Sequence, residues 1–199
     1  MTDGLRTNLT DNGATSAVVT AAEFRTHARI YHTQDDAYIA TLILSATQVI
    51  EHETRRALIN RAFTLQLQGF PADGEIVLPR SPLSTVSSVN YEAPNGNLVT
   101  LDATTYHTYS VNGVGRVVLR STGSWPTTLN TGALDVSVEF TAGYGATSAS
   151  VPAALRHAVL LQATHMYENR TSVNIGNIVN EIPMTVQRLI VQYHTGDYQ

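Results

Sequence analysis

The residue pair best suited to chemistry in this chain is a histidine and a glutamate spaced three apart, His165 and Glu168. On a helix this spacing places both side chains on one face, as in helical bundles that hold two metal ions. Such a site needs a second His–Glu pair and further carboxylates, and the sequence contains no second copy of the motif. The other histidines lack the close spacing of a zinc site. We therefore interpret His165 and Glu168 as helix-surface residues, and a metal-dependent enzyme remains only the least favoured alternative.

Other catalytic patterns are also missing from the sequence. The chain has no cysteine, which excludes thiolate ligands, cysteine nucleophiles and disulfides. Gly143-Tyr144-Gly145 is not followed by the Gly-Lys-Ser/Thr of a phosphate-binding loop, and no Gly-x-Ser-x-Gly motif surrounds a serine. Trp125-Pro126 is interpreted as a loop anchor packed on a sheet. The sequence thus predicts a protein that is not an enzyme, with no catalytic residue, no bound metal and no cofactor.

Composition limits the classes of partner. The 199 residues are 43% hydrophobic and 14% charged, against a usual charged fraction of about 25%. The formal net charge is −4 and no basic stripe is present, so stable binding to nucleic acid is not expected. No apolar run reaches the roughly 20 residues that span a bilayer, and the N-terminus does not resemble a signal peptide. We expect synthesis in the cytoplasm and no membrane partner.

All 12 basic residues are arginines. Arginine suits fixed, forked ion pairs, although GC-rich codon usage would explain the same bias. Arg55 and Arg56 could line a DNA channel, or they could pair with carboxylates such as Glu53 or those of a neighbouring subunit. We favour pairing.

The N-terminal part predicts a polar arm followed by two helices. The arm comprises residues 1–19, of which residues 1–17 are polar, lack periodicity and should be mobile on their own. Thr20 and Glu23 form a capping-box pattern for a first helix, whose buried residues should be Phe24, Ala28 and either Ile30 or Tyr31. A second helix should begin near Asp35-Asp36. Its apolar residues recur at steps of three and four and form one stripe: Ile39, Leu42, Ile43, Ala46, Val49 and Ile50.

Between residues 61 and 142 the hydrophobic period changes to two. Short alternating segments with intervening turns predict an antiparallel β-sheet or a small barrel. Two hairpins are expected in it, one with a turn built on Asn95-Gly96 and one with a turn at Asn112-Gly113-Val114-Gly115. A third helix should run from about Val151 to Arg170, and its apolar arc is wider than the roughly 100° of an ordinary surface helix. It should therefore be central to its own fold or packed on a neighbouring subunit.

Residues 171–182 predict a long loop, and Pro183 opens a short last helix. At about ten residues this helix needs a surface to dock on, either its own domain or a partner. The predicted fold class is α+β: a helical bundle of two N-terminal helices, a long central helix and a short C-terminal helix, with an inserted β subdomain. The expected divisions are an arm (1–19), a helical pair (20–60), the β subdomain (61–142), a central helix completing the bundle (143–170) and a C-terminal arm (171–199).

The order of the motifs is more specific than any one of them. It runs from the capped first helix through Gly69-Phe-Pro71, Ile76-Val-Leu-Pro79, Gly123-Ser-Trp-Pro126 and Val138 to Gly145, and closes with Val151-Pro-Ala-Ala-Leu155 and His165-Met-Tyr-Glu-Asn-Arg170. From about Thr20 to Tyr193, this series resembles the head–tail connector (adaptor) family of long-tailed bacteriophages and gene transfer agents. The family often has a basic residue after the last tyrosine, where this chain has His194.

The resemblance implies a structural ring, typically of twelve identical subunits, located beneath the portal protein in the virion neck. Such a ring is assembled in the host cytoplasm, extends the DNA channel and joins the capsid to the tail. Its expected partners are the portal, further neck or tail-completion proteins, and genomic DNA that passes through without specific binding. A stopper or tail-terminator subunit of the same neck is the alternative.

Three groups of residues are candidate contact sites. The resemblance places portal docking in the C-terminal segment, at Pro183, Met184, Val186, Leu189, Ile190 and Tyr193. The wide apolar arc of the third helix suggests a subunit interface that comprises Leu155, Val159, Met166, Tyr167 and Arg170. Arg55 and Arg56 are the candidates for lining the channel.

Overall fold

The computed structural model describes residues 7–11, 13, 16–121, 123–129, 133–170 and 183–194. The predicted loop at 171–182 lies outside these residues. The chain divides into two compact units, and each is described separately below. Within the described residues, the β unit contains residues 7–13 and 60–143, and the helical unit contains residues 16–59 and 144–194. The described residues form four α-helices and antiparallel sheets, so the fold class is α+β.

The helical unit contains the four α-helices and two short 3₁₀ turns, at Ser148–Ser150 and Val191–Tyr193. The helices are α1 (Ala21–Ala28), α2 (Asp36–Thr54), α3 (Ala153–Glu168) and α4 (Met184–Ile190).

Helix α1 begins with the predicted capping box. The Glu23 amide donates to the Thr20 hydroxyl at 3.2 Å, and the Thr20 amide donates to the Glu23 carboxylate at 2.8 Å. The helix is followed by its C-cap residue, Arg29, which has a left-handed φ of 56°. Phe24 is fully buried and Ile30 packs against the core, whereas Tyr31 is 95% exposed. Of the two residues proposed for the end of this apolar face, Ile30 is therefore the one that packs inward.

One hydrophobic core joins the helices of this unit. The predicted stripe of α2 is buried at Ile39, Leu42, Ile43, Ala46 and Ile50, while Val49 is only half-buried. Helix α3 adds Leu155, Ala158, Val159 and Ala163, and α4 adds Val186 and Ile190. Helix α3 begins after Pro152 and ends at Glu168, two residues inside each predicted end.

The β unit contains two antiparallel sheets. The strands are β1 (Thr7–Asp11), β2 (Arg61–Leu67), β3 (Glu75–Val77), β4 (Leu83–Glu92), β5 (Leu98–Thr100), β6 (Tyr106–Val111), β7 (Val114–Leu119) and β8 (Val136–Ala142). Five strands pair in the order β1-β2-β8-β4-β5, and three pair in the order β3-β7-β6. Over the described residues neither sheet closes, so of the two predicted forms the unit has open sheets and not a barrel.

In the larger sheet, every second residue of β2 from Phe63 onward is apolar and faces the core. Phe63, Leu65 and Leu67 of β2 are buried, and the intervening residues are more exposed. Phe63 is directly opposite Phe140 of β8, and their rings stack with centroids 5.4 Å apart. Cross-strand aromatic pairs of this kind fix the register of a sheet.

Both predicted hairpins are present. Strands β4 and β5 are paired, with Asn90 opposite Thr100 and Glu92 opposite Leu98. Strands β6 and β7 are joined by only two residues, Asn112 and Gly113, with φ of 52° and 87°. Positive φ at both central residues favours a type I′ turn, whose twist matches that of paired strands.

The N-terminal strand corrects one expectation. Residues 7–11 were expected to belong to a mobile arm, but they form β1 and pair in register with β2, Thr7 with Leu67 and Asp11 with Phe63. Their sequence carries little local strand signal because only Leu9 is apolar. The strand is stabilised by backbone hydrogen bonds to residues more than fifty positions away.

Candidate assembly surfaces

The C-terminal helix α4 contributes both to the core and to the surface. Val186 is 0% exposed and Ile190 is 2% exposed, because both pack into the core of the helical unit. Leu189 and Tyr193 are partly buried against the same core, and Pro183 is half-buried. Met184 is 62% exposed. Within the predicted docking set, Val186 and Ile190 thus pack on the chain's own helices and Met184 faces solvent, and portal docking by this segment stays a prediction.

Arg56 holds the end of this segment in place. Its Nε donates to the Tyr193 carbonyl at 2.7 Å, and its guanidinium carbon lies 6.0 Å from the centre of the Tyr144 ring. Arg56 is half-buried, whereas Arg55, which ends α2 with a left-handed φ of 55°, is exposed. Of the two proposed channel-lining arginines, only Arg55 therefore extends into solvent.

The end of α3 is tied to the start of α2 by a polar and aromatic cluster. The Arg170 guanidinium carbon lies 4.8 Å from the ring centre of Tyr167 and 4.9 Å from that of Tyr38. Arg170 Nη2 also donates to Asp35 Oδ2 at 3.2 Å, and the Tyr167 hydroxyl donates to the same oxygen. The hydrogen bond from Tyr167, together with Arg170, lowers the pKa of Asp35, and the same bond raises the pKa of the Tyr167 hydroxyl.

This cluster changes the interpretation of two proposed interface residues. Tyr167 and Arg170 make contacts within the helical unit, where the ring of Tyr167 also meets that of Phe24 in a T-shaped contact with ring centres 5.8 Å apart. Their partners Asp35 and Tyr38 could not be predicted from local spacing because more than 125 residues separate them from α3's end. Leu155 and Val159 are fully buried in the core of the chain itself, and a subunit interface on this helix stays a prediction.

Met166, the remaining proposed interface residue, lines a groove between α2 and α3. The groove has a volume of about 680 Å³, and seven residues line it: Ser45, Gln48, Val49, His52, Glu53, Gln162 and Met166. Its apolar residues are Val49 and Met166, and the other lining residues are polar. The wide apolar arc of α3 was the sequence signal for an apolar surface here, but Val49 was predicted to be buried, and the groove itself depends on how the two helices pack.

The β unit has a smaller cleft of about 480 Å³ around Trp125. Phe70 and Trp125 stack with their ring centres 4.6 Å apart and their planes 8° apart, and Phe70 also contacts Tyr91 of β4 at 5.9 Å. Trp125 thus anchors its loop on aromatic residues of the β unit, in agreement with its interpretation from the sequence.

The residues considered for metal chemistry do not converge. Glu168 is exposed, and Nδ1 of the His165 ring lies 3.3 Å from the side-chain amide nitrogen of Asn169. The rings of His27 and His157 form a T-shaped contact with their centres 5.6 Å apart. Within the described residues, no group of three or more His, Asp and Glu side chains is placed to hold a metal ion. No helix there is long and apolar enough to cross a membrane.

Comparison with known families and structures points to one class of protein. Residues 17–195 match the family model described as head completion protein. Three solved chains are similar over 96% of this chain and 97% of their own length. They come from the neck of an empty gene transfer agent (GTA) particle computed with C6 symmetry, the virion of a native GTA particle, and the neck of a native GTA particle computed with C12 symmetry. Their TM-scores are 0.81, 0.78 and 0.77, with sequence identities of 27%, 28% and 26%. No curated protein sequence matches.

Proposed function

The chain belongs to the head completion protein family, and we propose that it is a head–tail connector subunit of a virion neck. In this proposal, identical copies form a ring beneath the portal, extend the DNA channel and join the capsid to the tail. The observation that carries it is the similarity of nearly the whole chain to subunits of GTA necks and virions. The C6 and C12 symmetry of those necks supports a ring. A ring of twelve copies would match the C12 symmetry.

The work of such a subunit is mechanical and not catalytic. Each unit has its own hydrophobic core, and the surfaces left over include an exposed aromatic residue, a groove and a partly exposed terminal helix. We also propose that the four helices act as a bundle that carries the contacts within the ring. DNA, portal, and further neck or tail-completion proteins are then its partners.

For the portal contact we propose the exposed side of the C-terminal segment, with Met184 and Val191 as its apolar residues. Met184 is 62% exposed and Val191 is 63% exposed, and both flank the buried anchors Val186 and Ile190. The anchors hold a helix that is too short to be stable alone, so that its outer side is presented in one conformation. Deleting the whole segment would also remove part of the core, so surface substitutions give the cleaner test.

The test mixes purified protein with the portal ring and measures the added layer by electron microscopy and co-sedimentation. Wild type should add one ring-shaped layer. Met184→Asp with Val191→Asp should remove that layer while thermal unfolding stays unchanged, because both positions are at the surface. Leu98→Asp, at an exposed position of the β unit, is the matched control and should still bind. The proposal fails if wild type never forms a layer on the portal.

A further inference from the structure

Tyr31 is the most exposed large hydrophobic side chain among the described residues, at 95%. It lies in the short connection between α1 and α2, directly after Ile30 has packed inward. Arg29, two residues earlier, is also exposed and has a left-handed φ of 56°. Together Arg29 and Tyr31 form a basic and aromatic projection, here called the knob. Tyrosine and arginine are the residue types enriched at the energetic centres of protein interfaces.

The groove between α2 and α3 is complementary to the knob. Val49 and Met166 offer apolar contact for an aromatic ring, and Ser45 and Gln48 offer hydrogen-bond partners for a hydroxyl. A tyrosine buried at an interface needs such a partner for its hydroxyl. Glu53 supplies a negative charge opposite in sign to Arg29, and its side chain is 38% exposed. The groove volume of about 680 Å³ leaves room for one aromatic side chain.

One copy cannot fill its own groove. Tyr31 precedes the first residue of α2, Asp36, and the groove begins at Ser45 and extends to Glu53. Helix α2 rises about 1.5 Å per residue, so the middle of the groove lies about 20 Å along the helix from its start. The knob and the groove are therefore at opposite ends of one rigid helix, and the occupant must come from another molecule.

We propose that the knob of one copy inserts into the α2–α3 groove of the next copy, with Tyr31 on Val49 and Met166 and Arg29 facing Glu53. This inference rests on the proposed ring. Two different surfaces that complement each other at different places on one subunit make a head-to-tail contact, and such contacts close into rings when the rotation allows. The knob–groove contact thus supplies the repeated link between neighbouring subunits.

A photoreactive residue tests the contact directly. Benzoylphenylalanine introduced at position 31 keeps an aromatic side chain there and reacts with nearby C–H bonds on illumination. The portal-bound ring is assembled, illuminated, and analysed on a denaturing gel and by peptide mass spectrometry. We expect a ladder of covalent multimers, with cross-links that map to residues 45–53 or 162–166 of another copy. The same residue at Tyr109, an exposed tyrosine of the β unit, is the control and should not label the groove.

Exchanging the charges at positions 29 and 53 tests whether Arg29 of one copy faces Glu53 of the next. Arg29→Glu alone and Glu53→Arg alone should each weaken ring formation, because each places like charges together. The double variant Arg29→Glu/Glu53→Arg should recover it, since the pair is restored with opposite polarity. Tyr31→Ala should weaken association between subunits by at least tenfold, as expected of a central aromatic contact. Circular dichroism and thermal unfolding should match wild type, because the side chains of the knob contribute little to the core.

The possible outcomes separate the two proposals. If wild type forms the portal-bound ring but cross-links from position 31 map outside the groove, the knob–groove contact is wrong and the connector function stands. A ladder that stops at dimers would indicate a symmetric Tyr31–Tyr31 contact and would also overturn it. Rings that form normally with Tyr31→Ala contradict it as well. If wild type forms no ring with the portal, the connector function and the contact fall together.

Discussion

Arg61 shows how the arginines of this chain are used. Its Nε and Nη2 donate to the two carboxylate oxygens of Asp11 at 2.7 and 2.8 Å, which links the end of β1 to the start of β2. Arg156 pairs with Glu23, Arg25 with Asp36 and Arg116 with Glu75. The sequence suggested forked pairing in general. It did not identify these partners, because up to 133 residues separate them.

The carboxylates of Glu23 and Asp11 make the stability of the fold depend on pH in the acid range. Hydrogen bonds from the Thr20 amide and hydroxyl, with Arg156 nearby, hold the pKa of Glu23 below its ordinary value of 4.5. For Asp11, burial acts to raise the pKa, but the hydrogen bonds from Arg61 and the Gly13 amide lower it below 3.8. A carboxylate with a lowered folded pKa stabilises the fold fully above its unfolded pKa and loses that contribution as pH falls through the folded value.

We therefore expect the melting temperature to be flat from neutral pH to about pH 5 and to fall steadily below about pH 4.5. Glu23→Gln should lower the melting temperature at neutral pH and make the acid decrease shallower, because one of the groups that cause it is gone. Glu168→Gln, at an exposed position, should leave the profile unchanged. Calorimetry at a series of pH values measures both effects. An identical acid decrease in wild type and Glu23→Gln would contradict the assignment.

At the scale of elements, α3 is less unusual than its composition suggests. Its fully buried residues, Leu155, Ala158, Val159, Gln162 and Ala163, form one ordinary stripe. The additional apolar residues on its sides, including Leu160, Leu161 and Met166, are partly buried against the same core. The helix is thus central to its own unit, which was one of the two predicted explanations. Its edge at Gln162 and Met166 lines the groove.

Helix α4 depends on this packing because seven residues cannot form a stable isolated helix. Ile190→Ala should reduce the free energy of unfolding of the helical unit by about 2–5 kcal/mol, through lost burial and the cavity left behind. Met184→Ala on the exposed side should change it by less than about 0.5 kcal/mol. Urea titration followed by circular dichroism compares the two. Equal effects of the two substitutions would show that α4 is not packed as described.

At the scale of the whole molecule, charge limits how the chain meets DNA. The formal net charge is −4, and several arginines are engaged in ion pairs within the chain. A connector must allow DNA to move past it, and weak attraction meets that requirement. Strong attraction would require many phosphate contacts from basic side chains.

The Kd of the isolated chain for a labelled DNA duplex should accordingly be above about 10⁻⁴ M near physiological salt. Arg55→Glu should alter it little, because one exposed arginine supplies at most one phosphate contact. Fluorescence anisotropy across a series of salt concentrations measures affinity and salt dependence together. Tight binding that weakens steeply with salt would rule out a chain that DNA slides past.

The sequence by itself determined the local elements and, through the order of its motifs, the family. The capping box at Thr20 and the Asn112-Gly113 turn were predictable because they depend on residues within a few positions of each other. Only the tertiary structure decided that Thr7–Asp11 is a strand, that Val186 and Ile190 are core residues, and that Tyr31 faces solvent while Ile30 does not. These features depend on contacts between segments far apart in the chain, and local periodicity carries no information about which distant segment will cover a given face.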